Sequence, residues 1–553
     1  MDYKNLADLL FPNITLTKDD LEKRYPKRNL KDGAIVTRFA PSPTGFLHIG
    51  SVFTCLVASD FANKTGGVFI LRIEDTDQNR KLEGAVGLII DGLKRYDIHF
   101  DEGVNPDITE FGNYGPYTQS KRKEIYMTMA KYLVSIGKAY PCFCNEDISS
   151  RDKHIQEINK ELIGYYGQYA HCKNLSYEEI EQNLKDGKKF AIRLKCESSE
   201  DKKIIVEDSI RGTLKLSDNF KDVVILKSDF LPPYNFAHAC DDHFMHVNLA
   251  VRGDEYLPSI AEHLQIFNAL GFEPIQYAHV APIQKMDGDS KRKISKRKDP
   301  EANVEFYMQQ GYPVEAVREY LLTVANSNFE EWRKQNPDLP NNDFALALNK
   351  MSISGALFDL PKLNDVAKNV ISKFSAQKVY DLTLAWAERY DNEFAKLLKE
   401  NQDLSLRILS IERGTQKPRK DIAKWNEVQS FNSYFFNELF NPTSKDFYVF
   451  DEKFNAVDLK WILNEYAKQF EVTEDKQEWF NVIKHLATPI GFADDMKLYK
   501  ENPENYKGNY GEVSSIIRMA LTGRTNTPDL FEICKLLGKE EVVKRLNKCA
   551  EML

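Results

Sequence analysis

Membrane-crossing segments and secretory features are both missing from this chain. No apolar run approaches the ~20 residues that a membrane helix needs. The opening MDYKNLADLLFPNITLTKDD is acidic and lacks the basic, apolar and small-residue progression of a secretory leader. Cysteine is scarce, with 8 residues scattered over 553, which excludes a disulfide scaffold. No short-period repeat points to a solenoid. Positive charge is not in excess: 75 basic residues face 83 acidic ones, a net charge of −8 with an isoelectric point near 5.8. That balance argues weakly against nucleic acid as a partner, since binding depends on local patches rather than on the sum. These absences leave a cytoplasmic enzyme as the expectation.

The length allows about four domain-sized pieces. With 42% hydrophobic and 29% charged residues, the composition is ordinary for a globular protein. Basic clusters occur at Lys121-Arg122-Lys123, Lys291-Arg292-Lys293, Lys296-Arg297-Lys298 and Lys417-Pro418-Arg419-Lys420. Each alone reads as a solvated face.

The most informative stretch is RFAPSPTGFLHIGSVFTCLVASDF, Arg38 to Phe61. AIVTRFA alternates as a strand does, and Ile49, Val52, Phe53, Leu56, Val57 and Phe61 recur at helical spacing. Between them Pro41-Ser42-Pro43-Thr44-Gly45 makes a rigid turn. A strand, a sharp turn and a helix start follow, with His48 and Gly50 at the first helical turn. Unpaired N–H groups and the positive end of the macrodipole make such a place a seat for phosphate. His48 adds a donor, and Gly50 permits close approach to the backbone.

Residues before about Asp32 read as a polar, helical extension. GGVFILRIEDTDQNR is a second strand ending in carboxylates, and functional residues of parallel sheets gather at such carboxyl ends. Arg38 and Glu74 sit there; Asp75, Asp77 and Arg80 read more simply as caps and ion pairs. Leu82, Val86, Ile89, Ile90 and Leu93 form one helical core face, and Ile125, Met129, Leu133 and Ile136 another. The alternation predicts a doubly wound α/β domain. Cys142-x-Cys144 with Cys172 has the ligand chemistry of a zinc knuckle, and three reduced thiols with no metal is the competing reading. Lys188 to Asp229 is rich in strands and turns. Cys240, Asp241, Asp242, His243 and His246 lack the spacing of a zincin, so Asp-Asp-His reads as a capped helix start. Lys293-Ile294-Ser295-Lys296-Arg297, after Gly288-Asp289, reads as a cationic loop free to move. From about Glu301 the chain is helical, with a polar loop at Asn336–Asp343. Trp386, Trp425, Trp461 and Trp479 read as core aromatics.

The string R-F-A-P-S-P-T-G-x-L-H-I-G resembles the first signature of class I aminoacyl-tRNA synthetases, and of their glutamyl branch in particular. RIEDTDxxR, the run from Tyr234 through Asp-Asp-His to Val-Arg-Gly-Asp-Glu, and KISKR (similar to a KMSKS loop) carry the resemblance on. The C-terminal IIRMALTGRTNTPDLFEICKLLGKEEVVKRL is similar to the last helices of bacterial members. The likeness spans roughly Ala34 to the C-terminus and is weaker between about Lys153 and Ser228.

The resemblance implies a Rossmann-type parallel-sheet α/β catalytic domain with an inserted α+β domain, followed by an all-α C-terminal half. The expected boundaries are 1–33 for an N-terminal extension and 34–125 for the first catalytic half. Next come 126–229 for an insertion that holds the acceptor end of tRNA and 230–300 for the second catalytic half. Residues 301–375 would form a connecting domain and 376–553 an anticodon-binding domain.

It implies His48, Lys293 and Lys296 as catalytic cations. ATP would be held by Gly45, His48, Gly50, Glu255, Lys293, Ser295, Lys296 and Arg297. Glutamate would be held by Arg38, Ala40, Ser42, Glu74, Tyr234 and Arg252, with Glu74 on the α-ammonium and Tyr234 and Arg252 on the side-chain carboxylate. His238 departs toward the glutaminyl pattern. Of the zinc ligands, Cys142, Cys144 and Cys172 are present, but Asn174 stands where the family has histidine, and His171 is the only histidine nearby.

The implied reaction joins L-glutamate to tRNA(Glu), using ATP with Mg²⁺, in a monomer. Whether tRNA(Gln) is charged too is left open. A glutaminyl enzyme is the nearest alternative, disfavoured by RIEDTD and PSPTG. An adenylating ligase for a small molecule would lack the long helical C-terminal half. A silent tRNA-binding paralogue is opposed by intact His48, Glu74, Lys296 and Arg252.

Overall fold

Strand Val36–Phe39 runs through a turn into helix Ile49–Thr65, which returns the chain to strand Val68–Leu71. The two strands pair in parallel, Val36 opposite Val68 and Arg38 opposite Ile70, joined by the helical crossover that a parallel pair requires. The computed structural model describes residues 1–43, 45, 47–77, 82–295 and 297–553. Thr44 in the turn, Arg80 and Lys296 therefore lie outside the described residues. Gly45 adopts φ +137°, a conformation that other residues rarely reach, and this turns the chain toward the helix.

The chain forms two compact units, Met1–Phe306 with Arg318–Asp359, and Tyr307–Val317 with Leu360–Leu553. In the first, a four-stranded sheet carries Leu249–Gly253, Gln276–Val280, Lys203–Asp208 and Gly212–Ser217 in that spatial order. Leu249–Gly253 and Gln276–Val280 are parallel, with Arg252 opposite His279. The Val36 strand joins this sheet through Asn248, whose N–H donates to Val36 O at 3.0 Å. Residues 203–217, expected within the insertion, thus form an edge of this sheet.

The N-terminal segment is less polar in place than in sequence. Helices Tyr3–Leu10 and Lys18–Arg24 bury Leu6, Ala7, Leu10 and Leu21 in the same core as Ile125, Met129 and Leu133. Two of the expected core positions fall outside it. Leu82 lies three positions before helix Ala85–Arg95 and Ile136 is the C-cap of helix Lys123–Ser135, so neither sits on a helix body, and both are exposed.

Asp241 and Asp242 correct the sequence reading most sharply. They sit near the C-terminal end of helix Tyr234–Phe244, fully buried, and cap nothing. Asp241 accepts from Arg122 Nε at 2.6 Å, Gln119 Nε2 at 2.9 Å and Tyr126 OH at 2.9 Å, with Arg72 Nε at 3.6 Å. Asp242 accepts from Arg38 Nε at 3.2 Å and from Arg72. Burial opposes its ionisation, but Arg38, Arg72 and His238 outweigh that and hold the carboxyl well below the usual range.

The second unit is helical apart from a two-residue ladder between Phe492–Ala493 and Gly508–Asn509. Trp479 and Trp425 are buried in its cores, while Trp386 and Trp461 pack at the margins.

Removing one charge from a buried network leaves its partners uncompensated, at a cost of about 3–5 kcal/mol. Asp242→Asn should therefore lower the calorimetric transition of the first unit by that amount, far more than Asp77→Asn on the exposed loop. Equal, small effects would show that the network contributes little.

Candidate active site

A cavity of about 430 Å³ opens at the carboxyl ends of the parallel strands. Arg38, Ala40, Ser42, Gly45, His48, Gly50, Glu74, Tyr234, Arg252, Glu255 and Lys293 all line it. Residues expected from segments more than 200 positions apart are thus brought to one wall. Ser295 and Arg297 are not among the lining residues.

The parallel ladder explains Glu74. Beyond the strands, Arg72 N–H donates to Phe39 O at 2.9 Å and Glu74 N–H to Pro41 O at 3.0 Å, setting Glu74 beside Ala40 and Ser42. Its carboxylate accepts from Arg72 Nη2 at 3.2 Å. Burial raises its pKa, and Arg72 and Arg38 offset this only in part. A cationic ligand group would complete the compensation. Asp75 accepts from Ser120 N and Oγ, each at 2.8 Å, a long-range tie across 45 positions.

His48 is the N-cap of helix Ile49–Thr65, its Nδ1 accepting from Gly50 N–H at 2.9 Å. Ser51 and Val52 N–H donate to His48 O at 2.8 and 3.2 Å. The Gly50, Ser51 and Val52 amides are therefore used internally. A hydrogen-bond acceptor at Nδ1 leaves the imidazole hydrogen on Nε2. A Cβ at Gly50 would stand 3.0 Å from His48 Nδ1, so glycine is what lets the imidazole fold over the helix end.

The second signature follows a hairpin, whose last residue, Lys293, is also the first of the signature. Ile283–Asp287 pairs antiparallel with Ser290–Lys293, and Ile283–Gln284 pairs in parallel with Ala356–Leu357. Arg292 grips Asp299 with both terminal nitrogens, at 2.6 and 2.8 Å, and Ser295 N–H donates to the same carboxylate at 2.9 Å. Lys293 Nζ reaches Glu255 at 3.3 Å. His48 and Asn303 form a backbone bridge, tying the first signature to the residues that follow the second.

Arg252 is buried at the opposite end. Its Nε donates to His279 Nε2 at 3.0 Å, Nη1 to Tyr234 OH at 3.2 Å and Nη2 to His263 Nδ1 at 3.2 Å. It forms no ion pair with a carboxylate among the described residues. Arg38, by contrast, is matched by Asp242. His238, the position that resembled glutaminyl enzymes, does not line the cavity. It is fully buried, with Nδ1 2.9 Å from Asp242 and Nε2 3.1 Å from Tyr277 OH.

The three cysteines also converge, with sulfurs within 4.8 Å of one another. Tyr165 OH lies 3.4 Å from both Cys142 and Cys144, and Phe143 N–H donates to Cys172 Sγ. His171 is engaged elsewhere, 2.7 Å from Asp152.

A family model for the catalytic domain of class I tRNA synthetases (E and Q) matches residues 34–334, and one for an anticodon binding domain matches residues 496–550. The chain belongs to the class I tRNA synthetases of the E and Q branch. Glutamate--tRNA ligases of Acetivibrio thermocellus and Clostridium perfringens strain SM101 are each 46% identical to it, the first over 99% of this chain and 100% of the relative, the second over 99% of both. A solved glutamate tRNA ligase from Elizabethkingia meningosepticum, in complex with its amino acid, superposes with a TM-score of 0.72 at 26% identity, covering 94% of this chain and 99% of that one. The parallel-sheet α/β catalytic fold and helical C-terminal part of this synthetase chain agree with those likenesses.

Sequence reasoning missed Arg72, Arg122, Asp208, His263 and His279. Only Arg72 carried a local signal, an arginine directly after the strand Val68–Leu71.

Burial, with Asp242 opposing, lowers the His238 pKa from 6.5 to about 4. The neutral form is thus favoured by folding. Its contribution is complete above about pH 6.5 and is lost as pH falls toward about 4, on the order of 3 kcal/mol. Thermal midpoints measured from pH 7 to 4.5 should fall along that window, and His238→Gln should flatten the slope.

Proposed function

We propose that this synthetase attaches L-glutamate to the 3′ end of tRNA(Glu) through a glutamyl-adenylate. The observation that carries the choice of amino acid is Arg252, a buried cation in the cavity wall with neutral partners only among the described residues. A glutamine amide would leave that charge uncompensated at a cost of several kcal/mol.

In this reading Glu74 receives the α-ammonium, while Arg38, Ala40 and Ser42 frame the backbone end. Tyr234 and Arg252 receive the side-chain carboxylate. The α-carboxylate attacks the α-phosphorus of ATP, the bond to the bridging oxygen breaks, and pyrophosphate leaves. The acyl group then passes to a hydroxyl of the terminal ribose, and AMP departs. A carboxylate needs no general base, so catalysis is positioning and charge stabilisation. Gly45, Gly50 and Glu255 border the nucleotide. His48, Lys293 and Lys296, with the positive end of the Ile49 helix, neutralise the phosphates, and Ser295 and Arg297 belong to the same signature. Mg²⁺ would enter with ATP as part of the substrate and supply further positive charge for the phosphates.

Residues 1–33, 34–125, 126–229, 230–300, 301–375 and 376–553 serve as the functional segments, the last reading the anticodon, in a monomer. Three thiols so close together fit a structural Zn²⁺, held by Cys142, Cys144 and Cys172 with the Tyr165 hydroxyl beside them. Zinc would fix the fold of the insertion.

Charging assays with separate glutamate and glutamine tRNAs test the assignment. Transfer of glutamate to tRNA(Glu) is expected, and loading of glutamine instead would overturn it. Arg252→Ala should lower kcat/KM for glutamate by at least about a hundredfold while that for ATP changes far less. Lys296→Ala should slow adenylate formation at nearly unchanged tRNA affinity. Elemental analysis should find about one zinc per chain, lost in Cys172→Ser.

A further inference from the structure

Arg252 is held in an unusual way for a buried guanidinium. Of the five N–H donors such a group carries, three are taken, and all by neutral acceptors: His279 Nε2, His263 Nδ1 and Tyr234 OH. Each acceptor is itself fixed from behind. His279 Nδ1 lies 2.6 Å from Asp208 Oδ2, so the imidazole hydrogen is placed on Nδ1 and Nε2 is left as an acceptor. His263 Nε2 lies 2.8 Å from Asn235 Oδ1, which places the hydrogen there and leaves Nδ1 to accept.

The arrangement follows from the fold. Arg252 and His279 are register partners on adjacent parallel strands, so their side chains stand on one face. Asp208 ends the next strand and is anchored by N–H groups of Ile210 and Arg211 at 3.0 and 2.9 Å. The Tyr277 and Tyr256 rings lie 4.6 and 5.2 Å from the guanidinium carbon.

We propose that His263 and His279 are positioning residues for glutamate selection, because they orient the Arg252 fork through neutral acceptors and so leave its charge to be matched by the substrate's side-chain carboxylate. The inference rests on the glutamate reading given above. A carboxylate in either place would orient Arg252 equally well but would also cancel its charge and repel the substrate. Imidazoles fixed in one tautomer orient without cancelling. Burial keeps both rings neutral: it lowers the His263 pKa well below the ordinary value, helped by His238 and Arg252, and lowers that of His279 against the pull of Asp208.

The test compares replacements that keep or remove the accepting atom. Gln places an amide oxygen near Nε2 and Asn near Nδ1, so His279→Gln and His263→Asn preserve the acceptor, whereas His279→Leu and His263→Leu abolish it. In amino-acid-dependent pyrophosphate exchange with tRNA present, each Leu variant should raise the KM for glutamate at least about tenfold with the KM for ATP within about twofold. Each Gln or Asn counterpart should recover most of that loss. His263→Glu, which supplies a fixed anion, should cut the preference for glutamate over glutamine at least about tenfold.

Equal impairment of the accepting and non-accepting variants would reduce both histidines to packing and overturn the proposal. So would glutamate and ATP KM values that rise together, or an unchanged glutamate-to-glutamine ratio in His263→Glu. Should one Leu variant fail to fold, the pair at the other position makes the same comparison. An unmodified chain that loads a different amino acid would overturn the reaction assignment instead, and the KM comparison on that amino acid would still decide the role of the shell.

Discussion

The catalytic unit depends on two adjacent carboxylates buried among three guanidinium groups. Asp241 and Asp242 sit on one helix, while Arg38 ends the first strand, Arg72 follows the second, and Arg122 precedes helix Lys123–Ser135. Each of these charges is expensive to bury alone, and only the folded arrangement supplies all the partners at once. The network therefore joins the two halves of the sheet that the chain separates by more than 150 residues. It also sets the back wall of the cavity, because Arg38 and Glu74 reach the ligand space from it.

Two kinds of arginine result, and the difference decides what the cavity can recognise. Arg38 faces the cavity with its charge already matched by Asp242. It can donate hydrogen bonds to a ligand, but a neutral ligand leaves it no worse off. Arg252 has its fork held by imidazoles and a phenol, and Asp208 meets it through His279. The demand for an anionic side chain is thus concentrated on Arg252.

Much of this site was legible in sequence, for a physical reason. Strand, turn and helix start are local, and the signature residues lie within a few positions of those boundaries, so spacing alone placed Arg38, His48 and Glu74 at element ends. Relations between distant segments were not legible. Asp-Asp-His looks the same whether it opens a helix or closes one, and only the tertiary fold brings three arginines to it. The N-terminal helices misled because Leu6, Leu10 and Phe11 are embedded among charges, and their core-facing stripe is only two turns long. The strand ending at Lys293 was hidden by its charge density, and its partner Ile283–Asp287 also pairs with Ala356–Leu357 far along the chain.

The chemistry asks for no base, and the site is built accordingly. An ionised carboxylate is already a nucleophile at neutral pH, so a strong proton acceptor near the α-phosphorus would contribute nothing to the attack. The histidine in the cavity wall, His48, has its Nδ1 committed to Gly50 N–H and presents a donor rather than an acceptor through the remaining nitrogen. His263 and His279 accept only from Arg252, and His238 is closed off beside Asp242. Every imidazole around the cavity is thereby assigned to geometry or to positive hydrogen-bond character. That is what in-line transfer from a triphosphate requires: charge that builds on the departing oxygens is met by donors already in place.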